Sequence, residues 1–229
     1  IMFNLRMLIT GSANGIGSQI ALNFASLGAT LVLWDMDDEG NKETSRLAKK
    51  NGKRSGDVTI LINNAGILLG KKFCDILDAD FEKTLRVNFL SQVWTCKAFL
   101  PAMMTCNRGH LVSTTSAAGL LGVYSMSDYA GSNYAIIGMM ETLDSEMYHA
   151  GKQGIKTTII CPYFINTELA KLLQRKLTLS QPKLGQDARQ YLRQPYLSVE
   201  WALLRFSAPS NFGTVITVMA VRIPVTCHY

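Results

Sequence analysis

The sequence predicts an α/β fold, a doubly wound parallel sheet in a single domain. Three observations predict it. Short apolar runs, continuous rather than alternating, recur over about the first 170 residues, as strands buried on both faces require. Segments with apolar residues at helical spacing separate them. Turns rich in glycine and asparagine close several runs, and 229 residues is a one-domain length with room for a substantial core.

Met7 to Thr10 is the first run, and it ends in a glycine-rich turn. Ile16, Ile20, Ala21, Phe24 and Leu27 then recur at helical spacing until Gly28 closes the helix. Thr30 to Trp34 is the second run, followed by an acidic turn, Asp35 to Glu39. A polar helix runs roughly from Asp38 to Lys50. Val58 to Ile62 is the third strand, ending at Asn63-Asn64-Ala65-Gly66. A long helical stretch extends from about Asp78 to Thr105, His110 to Thr114 is a strand, Asp128 to Tyr148 a helix, and Ile155 to Cys161 a strand. After Leu173 the character changes. Gln174 to Gln194 is polar and basic, Ser207 to Gly213 is turn-like, and Val215 to Val221 reads as one strand. The chain thus divides into a folded unit, residues 1–173, and a basic tail of uncertain structure, residues 174–229.

Composition narrows the function classes. Hydrophobic residues make up 48% and charged residues 17%, which excludes a disordered chain, a collagen-like repeat and a low-complexity array. No stretch approaches the roughly 18 to 20 apolar residues of a membrane helix. Ile1 to Leu8 lack a charged leader and a cleavage site, so they do not read as a secretory signal. Ile at position 1 reads as a fragment, and a membrane anchor upstream stays an open expectation. The net charge of +6 sits at the end: residues 171–229 hold 8 Lys+Arg and 2 Asp+Glu, against 7 and 6 in residues 1–60 and 8 and 9 in residues 61–170. No specific nucleic-acid partner is expected of such a near-neutral body. The tail reads as solvated, with a membrane-surface patch as the sharper alternative. Five cysteines form no CxxC pair, and three histidines have no ligand-like spacing. Neither a disulfide framework nor a metal site is expected, and reduced thiols fit an intracellular compartment.

Thr10-Gly11-Ser12-Ala13-Asn14-Gly15-Ile16-Gly17 lies between a strand and a helix. That context gives the glycines a dinucleotide-binding purpose. Gly11 permits a tight turn, Gly15 lets backbone approach a pyrophosphate, and Gly17 lets the helix pack on the strand, while the helix start attracts phosphate. Asp35 ends the next strand, where it can accept bonds from the adenosine ribose and repel a 2′-phosphate. No Lys or Arg in Ser12 to Asn14 offsets that repulsion, so the cofactor expected is NAD, with NADP disfavoured. The other reading of Asp35 is an acidic helix cap.

These and later residues resemble the short-chain dehydrogenase/reductase superfamily. The glycine loop looks like its cofactor loop, and Asn63 to Gly66 like its second signature. Asn88 in Arg86-Val-Asn-Phe89 is similar to its helix asparagine, Ser116 to its catalytic serine and Tyr129, thirteen residues on, to its catalytic tyrosine. Cys161 to Thr167 resembles the segment that closes over the nicotinamide. The wording of Leu31 to Asp35, Lys97 to Met103 and Gly154 to Pro162 looks like the epidermal retinol dehydrogenase and lipid-droplet hydroxysteroid dehydrogenase branch. The resemblance implies a Rossmann-like fold and an oxidoreductase interconverting a lipophilic alcohol, retinol- or steroid-like, and its carbonyl. It implies cofactor contacts from Gly11, Ser12, Asn14, Gly15, Ile16, Gly17, Asp35, Asn64, Ala65, Gly66, Tyr129, Asn133, Ile165 and Thr167. Catalysis would rest on Tyr129, Ser116, Asn88 and Asn133. It further implies a homodimer through long helices, and an endoplasmic reticulum or lipid-droplet location.

Three departures qualify it. Tyr129-Ala-Gly-Ser-Asn133 places Asn where the family has Lys. Asn133 shares a helix face with Tyr129 and can bond a ribose hydroxyl, but it carries no charge. A unit charge about 5 Å away, at an effective dielectric of about 20, is worth roughly 3 kcal/mol, or about 2 pKa units. Without it Tyr129 stays protonated at neutral pH, and residues 117–151 hold no Lys or Arg to replace it. Second, only Met36 to Asp57 separates the second and third strands, where the family has a further edge βα unit. The shortened crossover must either move its helix to the opposite sheet face or take the rare left-handed path, leaving one face poorly covered. Third, the tail does not resemble the family's substrate helices. Three readings follow: a weakened oxidoreductase, a nucleotide-binding pseudoenzyme, and a truncated product that folds poorly. Of the other residues, Cys161 reads as strand-end packing, and Val87, Leu90, Val93 and Trp94 as core or dimer interface.

Overall fold

Six parallel strands form one sheet in the computed structural model, which describes residues 5–48, 57–162, 165, 167–171 and the backbone of 215–218. They are β1 (Arg6–Thr10), β2 (Thr30–Trp34), β3 (Ile60–Asn63), β4 (Gly109–Thr114), β5 (Ile155–Cys161) and β6 (Val215–Val218). Their spatial order is β2-β1-β3-β4-β5-β6. The helices are α1 (Gly15–Ser26), α2 (Asp38–Ala48), α3 (Asp78–Leu85), α4 (Ser91–Cys106) and α5 (Ser127–His149). The long helical stretch expected from Asp78 is α3 and α4 joined through a π turn, Arg86–Leu90. The tail contributes β6, which pairs Val215 to Val218 with Thr158 to Cys161 of β5. The rest of the tail and the expected end of the polar helix, Lys49 and Lys50, lie outside the described residues.

The continuous apolar runs fill both faces of the sheet, as parallel strands under helices require. Met7, Ile9, Ile62 and Val112 pack on one face with Ile20, Ala21 and Phe24 of α1. Leu8, Leu61, Leu111 and Ile159 pack on the other with Cys96, Leu100 and Met103 of α4 and Ile136 and Met140 of α5. Each such side chain contributes roughly 1.5 to 3 kcal/mol on full burial. The stripe Val87, Leu90, Val93 and Trp94 is not core: α4 buries Gln92, Cys96, Leu100 and Met103 instead, and Trp94 is exposed. Among the described residues no helix is long and apolar enough to cross a membrane.

The shortened crossover takes the rare path. Thr44 of α2, buried, places its hydroxyl 3.3 Å from the Ala13 carbonyl and 3.1 Å from Ser18 Oγ, so α2 packs beside α1. The chain leaves β1 for β2 with α1 over one face. On the way from β2 to β3, which lies beyond β1, α2 packs over the same face, and residues 49–56 that follow it lie outside the described residues. Two crossovers in opposite directions over one face have opposite hands. The β3 to β4 crossover runs in the return direction with α4 over the other face, so it shares the hand of α1. The α2 connection is the odd one, left-handed where nearly all such units are right-handed. The poorly covered surface lies on the far side of β2. Val32 and Trp34 point away from α1 and remain 40% and 49% exposed, with Phe99 of α4 6.1 Å from the Trp34 ring.

Candidate active site

All the candidate residues described lie past the carboxyl ends of the strands or on helices that follow them. The chain moves one way from β1 and the other way from β3, so these neighbours form a topological switch point, where such sheets bind ligands. The loop after β1 is held from the β3 side. Thr10 Oγ1 accepts from the Asn64 and Ala65 backbone N–H groups at 3.0 and 3.1 Å, and Asn64 Nδ2 donates to the Gly11 carbonyl at 3.1 Å. Gly11 has φ +67°, and a Cβ there would lie 2.7 Å from Ala65 Cα. A Cβ on Gly17 would lie 2.1 Å from the Gly11 carbonyl oxygen. Neither position admits another residue without moving backbone.

The start of α1 fits an anion. Asn14 precedes the helix, is exposed, and makes no side-chain capping bond, and the first turn holds no acid. The first N–H groups of the helix thus have no side-chain acceptor, and Ile16 and Gly17 contribute theirs there. Thr167 lies against Gly15, its Cγ2 3.3 Å from where a Cβ would stand, and the Thr167 N–H donates to the Ile165 carbonyl at 2.7 Å. The segment expected to close over the nicotinamide therefore meets the glycine loop. Ser12 is fully buried, and its hydroxyl donates to Asn41 Oδ1 at 2.7 Å. Asp35 accepts from the Ala13 N–H at 2.8 Å on one oxygen and the Asp37 N–H at 2.9 Å on the other. The α2 cap is Asp37, which accepts from the Gly40 N–H at 3.1 Å, so Asp35 is not the helix cap. Each Asp35 oxygen keeps a further lone pair for a ribose hydroxyl.

The second cluster lies between β4 and α5. Ser116 Oγ accepts from the Ala118 N–H at 3.2 Å and hydrogen-bonds the Tyr129 hydroxyl. Burial of that hydroxyl pushes the Tyr129 pKa above the usual phenol range, opposed by hydrogen bonds from Ser116 and Asn133. Asn133, one turn on and buried, donates its amide to the Tyr129 carbonyl at 2.7 Å. Among the described residues no cation is among the groups acting on Tyr129. Asn88 sits in the π turn, where both ends of its amide pair with the Ile67 backbone, at 2.8 and 3.0 Å. Its Nδ2 also reaches Ser132 Oγ at 3.0 Å, which ties the turn to α5. Gly66 lies beside it, with Asn88 Oδ1 3.5 Å from where a Cβ would stand.

The sequence profile of the short chain dehydrogenase family matches residues 33–178, a span that holds Asp35 and the second cluster and begins after the glycine loop. The chain belongs to this family. It is 45% identical to epidermal retinol dehydrogenase 2 of Homo sapiens over 186 residues, covering 70% of this chain and 60% of that protein. It is 39% identical to estradiol 17-beta-dehydrogenase 11 of Pongo abelii over 189 residues, covering 72% and 63%. The chain thus spans about 60% of the length of these relatives. The first match runs over 186 positions against about 160 residues here (70% of 229), leaving about 26 without a counterpart. That is close to the roughly 30 residues of a βαβ unit. The fold is that of a solved short-chain dehydrogenase/reductase from Burkholderia phymatum, in complex with NAD, at TM-score 0.76 and 24% identity over 94% of this chain and 90% of that one.

Several site residues were not read from the sequence. Ser132, three residues after Tyr129, is the α5 partner of Asn88. Its i+3 position on the tyrosine's helix face was the available signal. Asp128 is fully buried beside Tyr129 and accepts from the Thr84 hydroxyl at 2.8 Å, while its Oδ1 has no partner among the described residues. Asn41 and Thr44 of α2 carry no motif signal. Cys161 is buried and lies 3.1 Å from Thr115 Oγ1, and burial raises its pKa, as an inert packing thiol requires. Cys74, Cys96, Cys106 and Cys161 are all free thiols.

Proposed function

We propose that the chain is an NAD-dependent oxidoreductase with weakened turnover, which binds the dinucleotide well and interconverts a lipophilic alcohol and its carbonyl slowly. One observation carries the reading: Tyr129 and Ser116 are paired, while the Asn133 amide bonds a backbone carbonyl where the family has a cation. The names of the relatives, a retinol dehydrogenase and an estradiol dehydrogenase, support a lipophilic alcohol as substrate. Asp35 supports NAD over NADP. When bound, the nicotinamide supplies the hydride acceptor. Ser116 Oγ and the Tyr129 hydroxyl would hold the substrate oxygen, and Tyr129 would take its proton. Burial keeps the phenol protonated, so only a small fraction of the enzyme is competent near neutral pH.

The raised Tyr129 pKa, with no cation to oppose it, favours a second reading, a nucleotide-binding pseudoenzyme. The family resemblance also motivates a location at the endoplasmic reticulum or lipid droplets and a homodimer through long helices. Thermal unfolding of the full chain with and without NAD, then a retinol turnover assay, separates the readings. Stabilisation by NAD with slow turnover is expected. Stabilisation with no turnover at any pH leaves the pseudoenzyme, and no cooperative transition leaves a product that does not fold.

A further inference from the structure

We infer that α2 is a latch that sets the phosphate loop, with Asn41 and Thr44 as positioning residues for the dinucleotide. The inference rests on the dinucleotide-binding reading above.

The loop is fixed from two sides. The β3 side uses Thr10, Asn64 and Ala65, as described. The other side belongs to α2, whose contacts reach Ser12 and Ala13, the residues leading into α1, and also Ser18 of α1 and Leu33 of β2. Asn41 Oδ1 accepts the Ser12 hydroxyl at 2.7 Å, and Asn41 Nδ2 donates to the Leu33 carbonyl of β2 at 3.1 Å. Asn41 therefore ties the loop to the end of β2, next to Asp35. Thr44 Oγ1 lies between the Ala13 carbonyl and Ser18 Oγ. Asp35 holds the Ala13 N–H. Gly40 lets the helix come close: a Cβ there would stand 3.0 Å from the Ala13 Cβ and 2.6 Å from Asp37 Oδ2.

The composition of α2 supports this role. Its one buried residue is Thr44, a polar one. The helix has almost no apolar surface to hold it on the sheet, and its ion pairs are exposed and worth little: Lys42 with Asp38 and Glu39, and Arg46 with Glu43. What holds α2 on α1's face is the polar grip on Ser12, Ala13 and Ser18. The same bonds, read from the loop, fix the peptide planes leading to the N–H groups that would face a pyrophosphate. Neither Asn41 nor Thr44 needs to touch the cofactor to do this.

The test is isothermal titration of NAD into the full chain and three variants, with melting midpoints measured without cofactor. Asn41→Leu and Thr44→Val remove the hydrogen bonds at similar volume, and each is expected to weaken NAD about fivefold to tenfold. Thr44→Ser keeps the hydroxyl and is expected to bind within about twofold of the unaltered chain. A purely structural threonine would lose its methyl packing in Thr44→Ser and be spared in Thr44→Val, the reverse order. Unchanged NAD binding in Asn41→Leu and Thr44→Val overturns the inference. If Thr44→Val does not fold, Thr44→Ser decides: a tenfold loss there overturns it. No binding by the unaltered chain overturns the dinucleotide reading itself, and the latch with it.

Discussion

Asn133→Lys is the substitution with the largest expected effect. Asn133 lies one helical turn beyond Tyr129 on the same face of α5, is 3% exposed, and donates to the Tyr129 carbonyl. A lysine there extends past that carbonyl and brings an ammonium near the phenol. At about 5 Å and an effective dielectric of about 20, the charge favours the phenolate by roughly 3 kcal/mol. That lowers the Tyr129 pKa by about 2 units from its raised value. The sign follows: in the unaltered chain turnover climbs with pH through neutrality and beyond pH 9, because only the ionised phenol accepts the proton. In Asn133→Lys the same rise occurs about 2 pH units lower, so kcat at pH 7 increases by about 100-fold. The assay is steady-state oxidation of retinol with saturating NAD from pH 6 to 10, with NAD affinity measured separately. A gain under about fivefold, with unchanged NAD binding and an unshifted pH profile, refutes the argument. The limiting defect would then be elsewhere, in the missing edge unit or the tail.

Asp35→Ser removes the repulsion to a 2′-phosphate and an acceptor for the ribose. Competing titrations should show the NAD to NADP preference falling by about tenfold, with NAD itself weaker, because the Ala13 N–H loses a carboxylate partner. His110 is pushed down to about 4 by burial and by Lys156 nearby, against 6.5 unfolded. The unfolded chain takes up that proton first, so stability falls as pH drops from about 6.5 to about 4, by roughly 3 kcal/mol at most. Denaturant midpoints should fall less steeply over that window in His110→Asn than in the unaltered chain. Thr84→Val leaves the buried Asp128 carboxyl without the Thr84 hydroxyl donor and should cost about 1 to 3 kcal/mol, read as a melting point lower by several degrees. Thr84→Ser should restore most of it.

Much of this architecture was legible in the residues. β2 and β5 run as expected, Thr30–Trp34 and Ile155–Cys161, because continuous apolar runs bounded by turn residues leave little room for another reading. The glycine loop was legible because Gly11 and Gly17 are each forced by a backbone collision that no other residue escapes. The π turn at Asn88 was not legible: one extra residue in a helix leaves the apolar period almost unchanged. The face taken by α2 was not legible either. The chain offered two arrangements, and the choice fell to bonds from Asn41 and Thr44, polar residues on a polar helix. Asp35 was ambiguous between a ribose acceptor and a cap until Asp37 took the cap. Of the two readings of the stripe Val87, Leu90, Val93 and Trp94, core or dimer interface, the core one does not hold, because the face of α4 that is buried carries Gln92, Cys96, Leu100 and Met103.

The two halves of the site answer differently to what the chain lacks. The cofactor loop depends on β1, β3 and the grip of α2, all within the described residues. A left-handed crossover is rare because a right-twisted sheet disfavours it, yet here α2 stays beside α1 with one buried threonine and a few hydrogen bonds. The loop can therefore survive the shortening. The same shortening leaves β2 as an edge strand with Val32 and Trp34 exposed, so its effect falls on stability and self-association before cofactor geometry. On the proposed reading, proton transfer is weakened for a separate reason. Tyr129 and Ser116 meet as α5 and β4 dictate, but placement alone cannot ionise a buried phenol. On that reading a charge worth about 3 kcal/mol is missing among the described residues, and the Asn133 amide does not substitute for it. Binding and turnover should thus separate in this chain, and a single substitution should rejoin them only if the fold has kept the loop where α2 holds it.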